Sequence, residues 1–245
     1  MSNYIVYYNK NRPFLALPLN YDIKNLYPTF WKRVKLLRYK KKIEPISDVL
    51  DFEFIEYCKE AIVFFNNTKT VIQDIEQKRI IILGKEELFN NDFYNNYNDK
   101  LFKTFRLPKL IYSGGYFAVF EYVKGECIKL DYKTLKEISD EIYIKCSFHH
   151  GDLHSSNVIT KDGINYIIDW DDRKKYSNNY DFCHYYLVES FRNFERKGFT
   201  KKNFDFFINQ KEELLKYISL SDYNEALSSI SKARKFKKFD RIKNL

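Results

Sequence analysis

The stretch HGDLHSSN at residues 150–157, followed by IIDW at residues 167–170, is the part of this sequence that most limits its fold and chemistry. It places a carboxylate at Asp152, a carboxamide at Asn157 and a second carboxylate at Asp169, twelve residues after the amide. In phosphoryl transfer one acidic group orients a hydroxyl nucleophile, while an amide and another acidic group hold magnesium against nucleotide phosphates. The residue types and their spacing therefore predict a phosphoryl-transfer site.

The composition is that of a folded globular chain. The 245 residues are 44% hydrophobic and 18% aromatic, with only 7 Gly and 5 Pro, so a sizeable core can form. The longest apolar runs are about five residues, far short of the ~20 that a membrane span needs. The 4 cysteines include no C-x-x-C pair, which favours free thiols in a reducing compartment. With no secretory signal pattern at the N-terminus, we expect a cytoplasmic protein.

The chain carries a net charge of +9, and two segments hold much of it, residues 31–42 and residues 232–243. Such clusters can meet nucleic acid, an anionic membrane or an acidic substrate, and they can equally be solvated surface. No zinc-finger or RNA-binding signature accompanies them, so nucleic acid is not expected as a partner. Peripheral contact with anionic lipid at the inner membrane face stays open.

The apolar pattern divides the chain into three regions. Residues 1–57 are predicted to form an N-terminal basic helical extension, with a helix near residues 27–39. Residues 58–123 are predicted to form an N-lobe of β-sheet plus one helix, and residues 124–245 a helical C-lobe that contains the catalytic loop and a basic C-terminal tail.

Within these regions the elements follow from alternation and helical spacing. The N-lobe pattern predicts strands at 61–65, 70–75 and 79–83, a helix over 88–105 and a hairpin over 110–122. The C-lobe pattern predicts helices at 130–146, 181–196, 201–220 and 221–234, with a short strand at 165–168.

These motifs resemble those of the protein-kinase-like phosphotransferases, in the branch of the aminoglycoside phosphotransferases and choline kinases. That branch typically reads His-Gly-Asp-x-x-x-x-Asn and then Ile-Asp-Trp, the pattern at residues 150–157 and 168–170. Gly151 stands where protein kinases have an Arg, a residue that commonly engages a phosphorylated activation loop and that small-molecule kinases generally lack. The resemblance is strongest over residues 149–185, and it implies an α+β, bilobal protein-kinase-like fold with a small β-rich N-lobe and a mainly helical C-lobe.

The resemblance also implies roles for the three polar residues. Asp152 would be the catalytic base, which accepts or orients the proton of the acceptor hydroxyl. Asn157 and Asp169 would bind Mg²⁺ between the protein and the phosphates of ATP. The cofactors implied are therefore ATP and Mg²⁺.

Three further residues are expected to support this loop. By the resemblance His150 would pack beneath the loop rather than touch substrate. Asp181 matches an acidic residue that hydrogen-bonds the loop backbone from the following helix. His154 is expected to be a loop residue near the phosphates.

The residues expected to bind the nucleotide match the family pattern less completely than the motifs at residues 150–157 and 168–170. By the resemblance, the backbone of Glu121, Tyr122 and Val123 would form the hinge that meets adenine. The lysine that grips the α- and β-phosphates has two candidates, Lys85, which is favoured, and Lys78 at the other end of the third strand.

The helix partner of that lysine is expected to be Asp92, with Glu86 and Glu87 as rivals. The turn at Asn66 and Asn67 contains no glycine, so the sequence indicates no glycine-rich loop around the phosphates.

The sequence thus predicts an ATP- and Mg²⁺-dependent kinase that phosphorylates a hydroxyl of a small molecule or of a sugar in a surface glycan. The positive net charge favours an anionic glycan over a polycationic drug as acceptor. Two alternatives remain. One is a kinase-fold scaffold with little activity, which the absent glycine-rich loop favours. The other is a metal-dependent hydrolase built on His149, His150 and His154, although their spacing matches neither H-x-H-x-D-H nor H-E-x-x-H.

Overall fold

A computed structural model gives the fold of this chain. It describes residues 3–26, 36, 38–50, 58, 60–66, 69–84, 102–114, 116–170, 175–176, 179–197 and 201–234. The chain divides into two compact units, the first formed by residues 1–100 and 108–122 and the second by residues 101–107 and 123–245. A β-rich N-terminal part and a helical C-terminal part confirm the predicted α+β class. The chain leaves the first unit after Tyr122, next to the predicted boundary after residue 123.

The first unit is built on one antiparallel sheet, in which the described strands run in the order β3-β1-β2-β4-β5-β6-β8-β7. The strands are β1 Asn3–Asn9, β2 Arg12–Pro18, β3 Lys40–Pro45, β4 Ala61–Phe65, β5 Lys69–Asp74, β6 Arg79–Gly84, β7 Leu110–Gly114 and β8 Phe117–Glu121. A short helix, α1 (Ile23–Leu26), and a 3₁₀ turn (Ile46–Asp48) lie between β2 and β4. The predicted strands of the N-lobe are confirmed.

Both faces of this sheet are buried along its first strands. Tyr4 and Val6 of β1 pack in one hydrophobic cluster, whereas Tyr7 packs in a second cluster with Leu15 and Leu17 of β2. Successive side chains of a strand point to opposite faces, so a strand with apolar residues in succession must be covered on both sides. The N-terminal strands are therefore part of the core of the first unit.

The predicted helical extension over residues 1–57 is wrong where the structure describes it. β1, β2 and β3 belong to the same sheet as the N-lobe strands, joined to it through pairing of Leu15 with Phe64 and of Ala16 with Val63. The reason is the β-branched and aromatic run of β1, which favours a strand. Most of the helix predicted near residues 27–39 lies outside the described residues.

The first basic cluster lies partly on an edge strand. Lys40, Lys41 and Lys42 are exposed on β3, which pairs with β1 at the edge of the sheet. Charged side chains on an edge strand oppose pairing with another chain, and the ammonium of Lys42 also lies 5.2 Å from the ring centroid of Tyr8. These lysines thus have a structural explanation that needs no anionic partner.

The second unit combines helices with a small antiparallel sheet in the order β11-β10-β9. Its elements are β9 Glu126–Cys127, α2 Tyr132–Cys146, β10 Val158–Lys161, β11 Ile164–Ile167, α3 Tyr180–Lys197, α4 Lys201–Leu214 and α5 Leu220–Arg234. The predicted helices and the strand before Asp169 are confirmed, whereas β9 and β10 were not predicted. The helix predicted over residues 88–105 falls mostly outside the described residues, and Phe102–Phe105 at its end are not helical.

Those last residues are held in the second unit by a carboxylate of α2. Glu141 accepts hydrogen bonds from the backbone N–H groups of Lys103 and Thr104 at 2.8 and 2.9 Å. Burial alone would raise the pKa of Glu141, but these donors and Lys145 outweigh it and lower the pKa to about 2. The segment then continues to Arg106, whose carbonyl accepts from Ile167 N–H at 3.0 Å. The chain is thereby fixed beside β11, the strand that leads into Asp169.

A buried ion pair fixes the turn between β5 and β6 in the first unit. Asp74 is 0% exposed and accepts from Arg79 Nε at 2.8 Å and from the backbone N–H of Gln77 at 3.1 Å. Burial raises the pKa of the nearby Cys58 thiol to about 11, and the negative charge of Asp74 adds to that rise. The carboxylate of Asp74 therefore depends on Arg79 for its compensating charge.

Replacing Arg79 by Ala should lower the free energy of unfolding by about 3 kcal/mol, because the substitution leaves an uncompensated carboxylate in the core. Urea denaturation followed by circular dichroism measures the loss. The matched control, Lys41→Ala on the exposed edge strand, should stay within about 0.5 kcal/mol of the wild type. Equal effects of the two substitutions would contradict a stabilising role for the buried pair.

Candidate functional site

The loop between α2 and β10 contains the motif at residues 150–157 and makes a tight backbone turn. Gly151 has a φ of +85°, in the left-handed region that glycine enters without a steric penalty. The loop ends in a 3₁₀ turn, Ser155–Asn157, which leads directly into β10. The ring of His154 caps this turn by accepting the Ser156 N–H at 3.2 Å. The left-handed backbone conformation at position 151 therefore explains why the motif has a glycine there.

Asp181, in the first turn of α3, fixes the backbone of this loop. One carboxylate oxygen accepts the His150 N–H at 2.7 Å, and the other accepts the Gly151 N–H at 3.0 Å. The side chain is 0% exposed, and burial raises the pKa of Asp181 to about 7 although the two N–H donors oppose the rise. The contact expected between Asp181 and the catalytic-loop backbone is thus present.

His150 lies beneath the loop and is 0% exposed. Its Nδ1 lies 3.3 Å from the backbone N–H of Asp152, which can only donate, so Nδ1 is the unprotonated nitrogen. Nε2 then carries the proton and donates to the Ile168 carbonyl at 2.8 Å. Burial lowers the pKa of His150 to about 4, which keeps the ring neutral at physiological pH. The ring packs 4.7 Å from that of Trp170 and ties the loop to the segment around Asp169.

Asn157 and Asp169 lie at the same end of the β10–β11 hairpin. Val158 pairs with Ile167, and one step further Ile168 N–H donates to the Asn157 carbonyl at 3.0 Å. The side-chain amide nitrogen of Asn157 donates to the Asp152 carbonyl at 2.9 Å, which leaves Oδ1 as the acceptor atom of this buried side chain.

Asp169 is exposed and has a φ of +67°, in the left-handed region that Asp and Asn adopt more readily than other residues with a side chain. Together with Oδ1 of Asn157, the carboxylate would supply the hard oxygen ligands that Mg²⁺ prefers. These two residues therefore fit a magnesium ion by donor type.

Asp152 projects from the loop with about a third of its side chain exposed, 34%. Two nearly buried imidazoles face its carboxylate. His154 Nε2 lies 3.6 Å from one oxygen, and His184 Nε2 lies 3.7 Å from the other. The carboxylate thus has an exposed side and two flanking imidazole rings.

His184 was not predicted as a site residue, because it is far from the loop in sequence. The helical spacing could have found it. His184 is three residues after Asp181 on α3, and residues three apart lie on one face of a helix. If Asp181 holds the loop, a side chain at position 184 must reach the same loop.

Two more residues of α3 contact the loop and were also missed. Glu189 accepts from the Ser155 hydroxyl at 2.6 Å. The guanidinium of Arg192 lies 3.2 Å from Glu189 and 3.3 Å from the Ser156 hydroxyl, and it approaches both ring nitrogens of His154 at 3.3 and 3.4 Å. Helix α3 therefore contacts the loop at residues 150–157 at several points along its length.

The histidines of the motif do not converge on a common point. His149 stacks on Tyr143 at 5.4 Å between ring centroids and faces the Tyr176 backbone N–H with Nδ1. His150 is bound to Ile168, as described above, and His154 caps the 3₁₀ turn. Within the described part of the chain, no group of three or more His, Cys, Asp or Glu side chains could hold a metal ion. The described structure therefore does not support a hydrolase built on these histidines.

The predicted nucleotide-binding residues are only partly described. Lys85 and Asp92 lie outside the described residues. Glu121 N–H donates to the Lys109 carbonyl at 2.9 Å and Tyr122 N–H to the Lys78 carbonyl at 2.8 Å, so both donors are engaged within the first unit. Lys78 is exposed in the turn after β5 with a φ of +51°. Val123 is buried in the second unit.

Comparison with known proteins found similarity at the level of structure. No protein-family model matches the sequence, and a search of curated proteins found no match. The chain is structurally similar to aminoglycoside phosphotransferases, the family that its motifs resemble. APH(2″)-IIa in a ternary complex with streptomycin and ATP is 13% identical, with a TM-score of 0.39 over 55% of this chain and 75% of that chain.

Two further structures give similar values. APH(2″)-IIa with gentamicin is 13% identical with a TM-score of 0.43 and covers 55% of this chain and 74% of that one. The ADP-bound aminoglycoside phosphotransferase APH(2″)-Ib is 13% identical with a TM-score of 0.40 and covers 55% and 75%. At 13% identity, the ligands of these structures are stated for those proteins and not for this chain. In the described residues, no helix is both long and apolar enough to span a membrane.

Replacing Asp181 by Ala should lower the free energy of unfolding by about 3 kcal/mol, because two buried N–H groups lose their acceptors. Chemical denaturation provides the measurement. Asp140→Ala is the control, since it removes a carboxylate of the same unit that forms only a surface ion pair with Lys136 and should cost less than about 1 kcal/mol. A loss at Asp181 no larger than that at Asp140 would show that the loop does not depend on this carboxylate.

The pH dependence of stability gives a second test of Asp181. Because its pKa rises on folding from 3.8 to about 7, its contribution is fully present below about pH 4 and is lost as the pH rises through about 7. An Asn at this position cannot ionise. The difference in unfolding free energy between wild type and Asp181→Asn should therefore fall by roughly 4 kcal/mol from pH 4 to pH 7 and then level off. A difference that is constant with pH would contradict the raised pKa.

Proposed function

We propose that this chain is an ATP- and Mg²⁺-dependent phosphotransferase of bilobal, protein-kinase-like fold that phosphorylates a hydroxyl of a small molecule or of a sugar in a surface glycan. The main support for the proposal is that neighbouring parts of the second unit carry three side chains with oxygen atoms, Asp152, Asn157 and Asp169. Asp152 projects from a loop anchored by Asp181, while Asn157 and Asp169 share the end of the adjacent hairpin.

In this proposal Asp152 binds the acceptor hydroxyl and accepts its proton as the hydroxyl oxygen bonds to the γ-phosphorus of ATP and the bond from that phosphorus to the leaving ADP oxygen breaks. A partly exposed carboxylate on a fixed loop can do both, since general-base catalysis requires hydrogen-bond reach to the substrate and a defined orientation. The rate enhancement would come mainly from alignment and from compensation of charge.

Asn157 Oδ1 and the Asp169 carboxylate would hold Mg²⁺. When bound, the ion would offset the negative charge of the nucleotide phosphates and the charge that builds on the transferred group. The exposure of the Asp169 carboxylate supports this assignment, because an exposed carboxylate can reach a bound ion.

Recognition of the nucleotide is proposed for residues 121–123 and a lysine of the N-lobe. Because the N–H groups of Glu121 and Tyr122 already donate within the first unit, the backbone of Val123 is the favoured donor toward adenine. Lys85, partnered by Asp92, remains the favoured phosphate-binding lysine, and Lys78 is the alternative. ATP is proposed as the phosphoryl donor on the strength of the motif.

The acceptor is proposed from charge. A chain with a net charge of +9 is a poor match for a polycationic drug, so a neutral or anionic sugar is favoured. Contact with an anionic membrane stays a prediction, since the lysines of β3 have a structural role as edge charges. A scaffold of low activity is the second candidate. The two engaged hinge donors favour it, because they reduce the contacts that a nucleotide can make.

Steady-state phosphorylation against an acceptor panel tests the proposal. Asp152→Asn should lower kcat by roughly 10²–10⁴-fold, because the isosteric amide cannot accept a proton. The same variant should keep its ATP affinity, measured by calorimetry, since Asp152 serves the acceptor. Asp169→Asn should weaken Mg²⁺–ATP binding by about 10–100-fold, the loss usual for altered metal-site residues.

Asp162→Asn is the matched control for both substitutions. Asp162 lies in the exposed turn between β10 and β11 with a φ of +51°, a conformation that Asn also tolerates. This variant should keep wild-type activity. Wild-type turnover that is unaffected by Asp152→Asn and Asp169→Asn would reject the mechanism, and ATP binding without any turnover would favour the scaffold.

A further inference from the structure

Helix α3 contacts both the backbone and the side chains of the catalytic loop. Asp181 binds the loop backbone at His150 and Gly151, and one turn later His184 reaches the carboxylate of Asp152. His184 is nearly buried, with 5% of its side chain exposed. Its ring centroid lies 5.5 Å from that of Tyr180 on the same helix, which limits the orientations of the ring.

The hydrogen bonds of His184 define which nitrogen faces Asp152. Nδ1 lies 3.0 Å from the Leu153 carbonyl, and a carbonyl only accepts, so Nδ1 carries a proton and donates. Nε2 is therefore the nitrogen directed at Asp152, 3.7 Å from Oδ1. This distance is longer than a direct hydrogen bond, and the contact attracts the carboxylate when Nε2 also carries a proton, that is, when the ring is an imidazolium.

His154 completes the arrangement from the other side. Its Nδ1 accepts the Ser156 N–H, which places the proton of the neutral ring on Nε2, 3.6 Å from Asp152 Oδ2. Each carboxylate oxygen thus faces one imidazole nitrogen. The two rings differ in origin, because His154 belongs to the loop itself whereas His184 is fixed in a helix.

We infer that His184 is the positioning residue for Asp152: it holds the carboxylate in the orientation that meets the acceptor hydroxyl. The inference rests on the proposed function of Asp152 and adds to it a residue that no motif indicates. A positioned carboxylate reacts faster because less of its rotational freedom must be lost in the transition state. Helix α3 would then set the loop backbone through Asp181 and the reacting side chain through His184.

The alternative is that His184 is only a core residue that satisfies the Leu153 carbonyl. Two substitutions separate these roles. The amide nitrogen of Asn can take the place of Nδ1, so His184→Asn keeps the bond to Leu153 and removes the group that faces Asp152. The amide of Gln reaches the place of Nε2, so His184→Gln keeps a polar group toward Asp152 and loses the bond to Leu153.

If His184 positions Asp152, His184→Asn should lower kcat by about 10–100-fold, the effect usual for a residue that orients a reacting group. Its KM for ATP and its urea midpoint should stay close to wild type. His184→Gln should keep most of the wild-type kcat while it loses stability. Wild-type kcat in His184→Asn would overturn the inference, as would losses of kcat that follow only the losses of stability.

A spectroscopic measurement tests the contact without any turnover. The chain has only 4 histidines, so the imidazole ¹⁵N resonances of the labelled protein can be assigned by substitution. Asp152→Asn should shift the Nε2 resonance of His184, whereas His149, which faces Tyr143 and Tyr176, serves as the internal control. An unchanged His184 resonance would overturn the inference. If the wild type phosphorylates no acceptor, the proposed function fails, and this experiment still decides whether His184 holds Asp152.

Discussion

The paired hydrogen bonds from the N–H groups of His150 and Gly151 to the buried Asp181 carboxylate are the constraint on which the candidate site depends. Gly151 turns the backbone through a left-handed conformation, so neither N–H can join a regular element, and both would be unsatisfied in the core without an acceptor. Each unsatisfied buried donor costs about 1–3 kcal/mol. One carboxylate on α3 removes both penalties and in doing so fixes the point from which Asp152 projects.

The second fixed element is the β10–β11 hairpin, which begins where the loop ends. The pairing of Val158 with Ile167 determines that Asn157 and Asp169 emerge together, and the bond from the Asn157 amide to the Asp152 carbonyl connects hairpin and loop. His150 makes the same connection from below through Ile168. Hydrogen bonds to backbone groups therefore fix the loop and the hairpin that carry these side chains.

The elements of the second unit could be predicted from the sequence because the sequence patterns that indicate them are local. The loop motif and the amphipathic spacing of α3 each fall within a short window, and the contact of Asp181 with the loop came from the resemblance to a known family. The strands β1 and β2 were missed for a physical reason: both faces are buried, so their residues lack the polar–apolar alternation that marks a half-exposed strand. His184 was missed because its contact with Asp152 exists only after α3 packs on the loop, and its spacing of three residues from Asp181 was the signal that could have indicated it.

The loop also buries an acid and a base that both favour their neutral forms. Burial raises the pKa of Asp181 to about 7 and lowers that of His150 to about 4. The contribution of Asp181 to folding stability is present at low pH and is lost as the pH rises to about 7. The contribution of His150 is present above its ordinary pKa of 6.5 and is lost as the pH falls to about 4. Over the same interval the two effects have opposite slopes and partly cancel. Burying Asp181 and His150 in neutral form costs stability. In return their hydrogen bonds hold the loop in one geometry, which a positioned carboxylate at Asp152 requires.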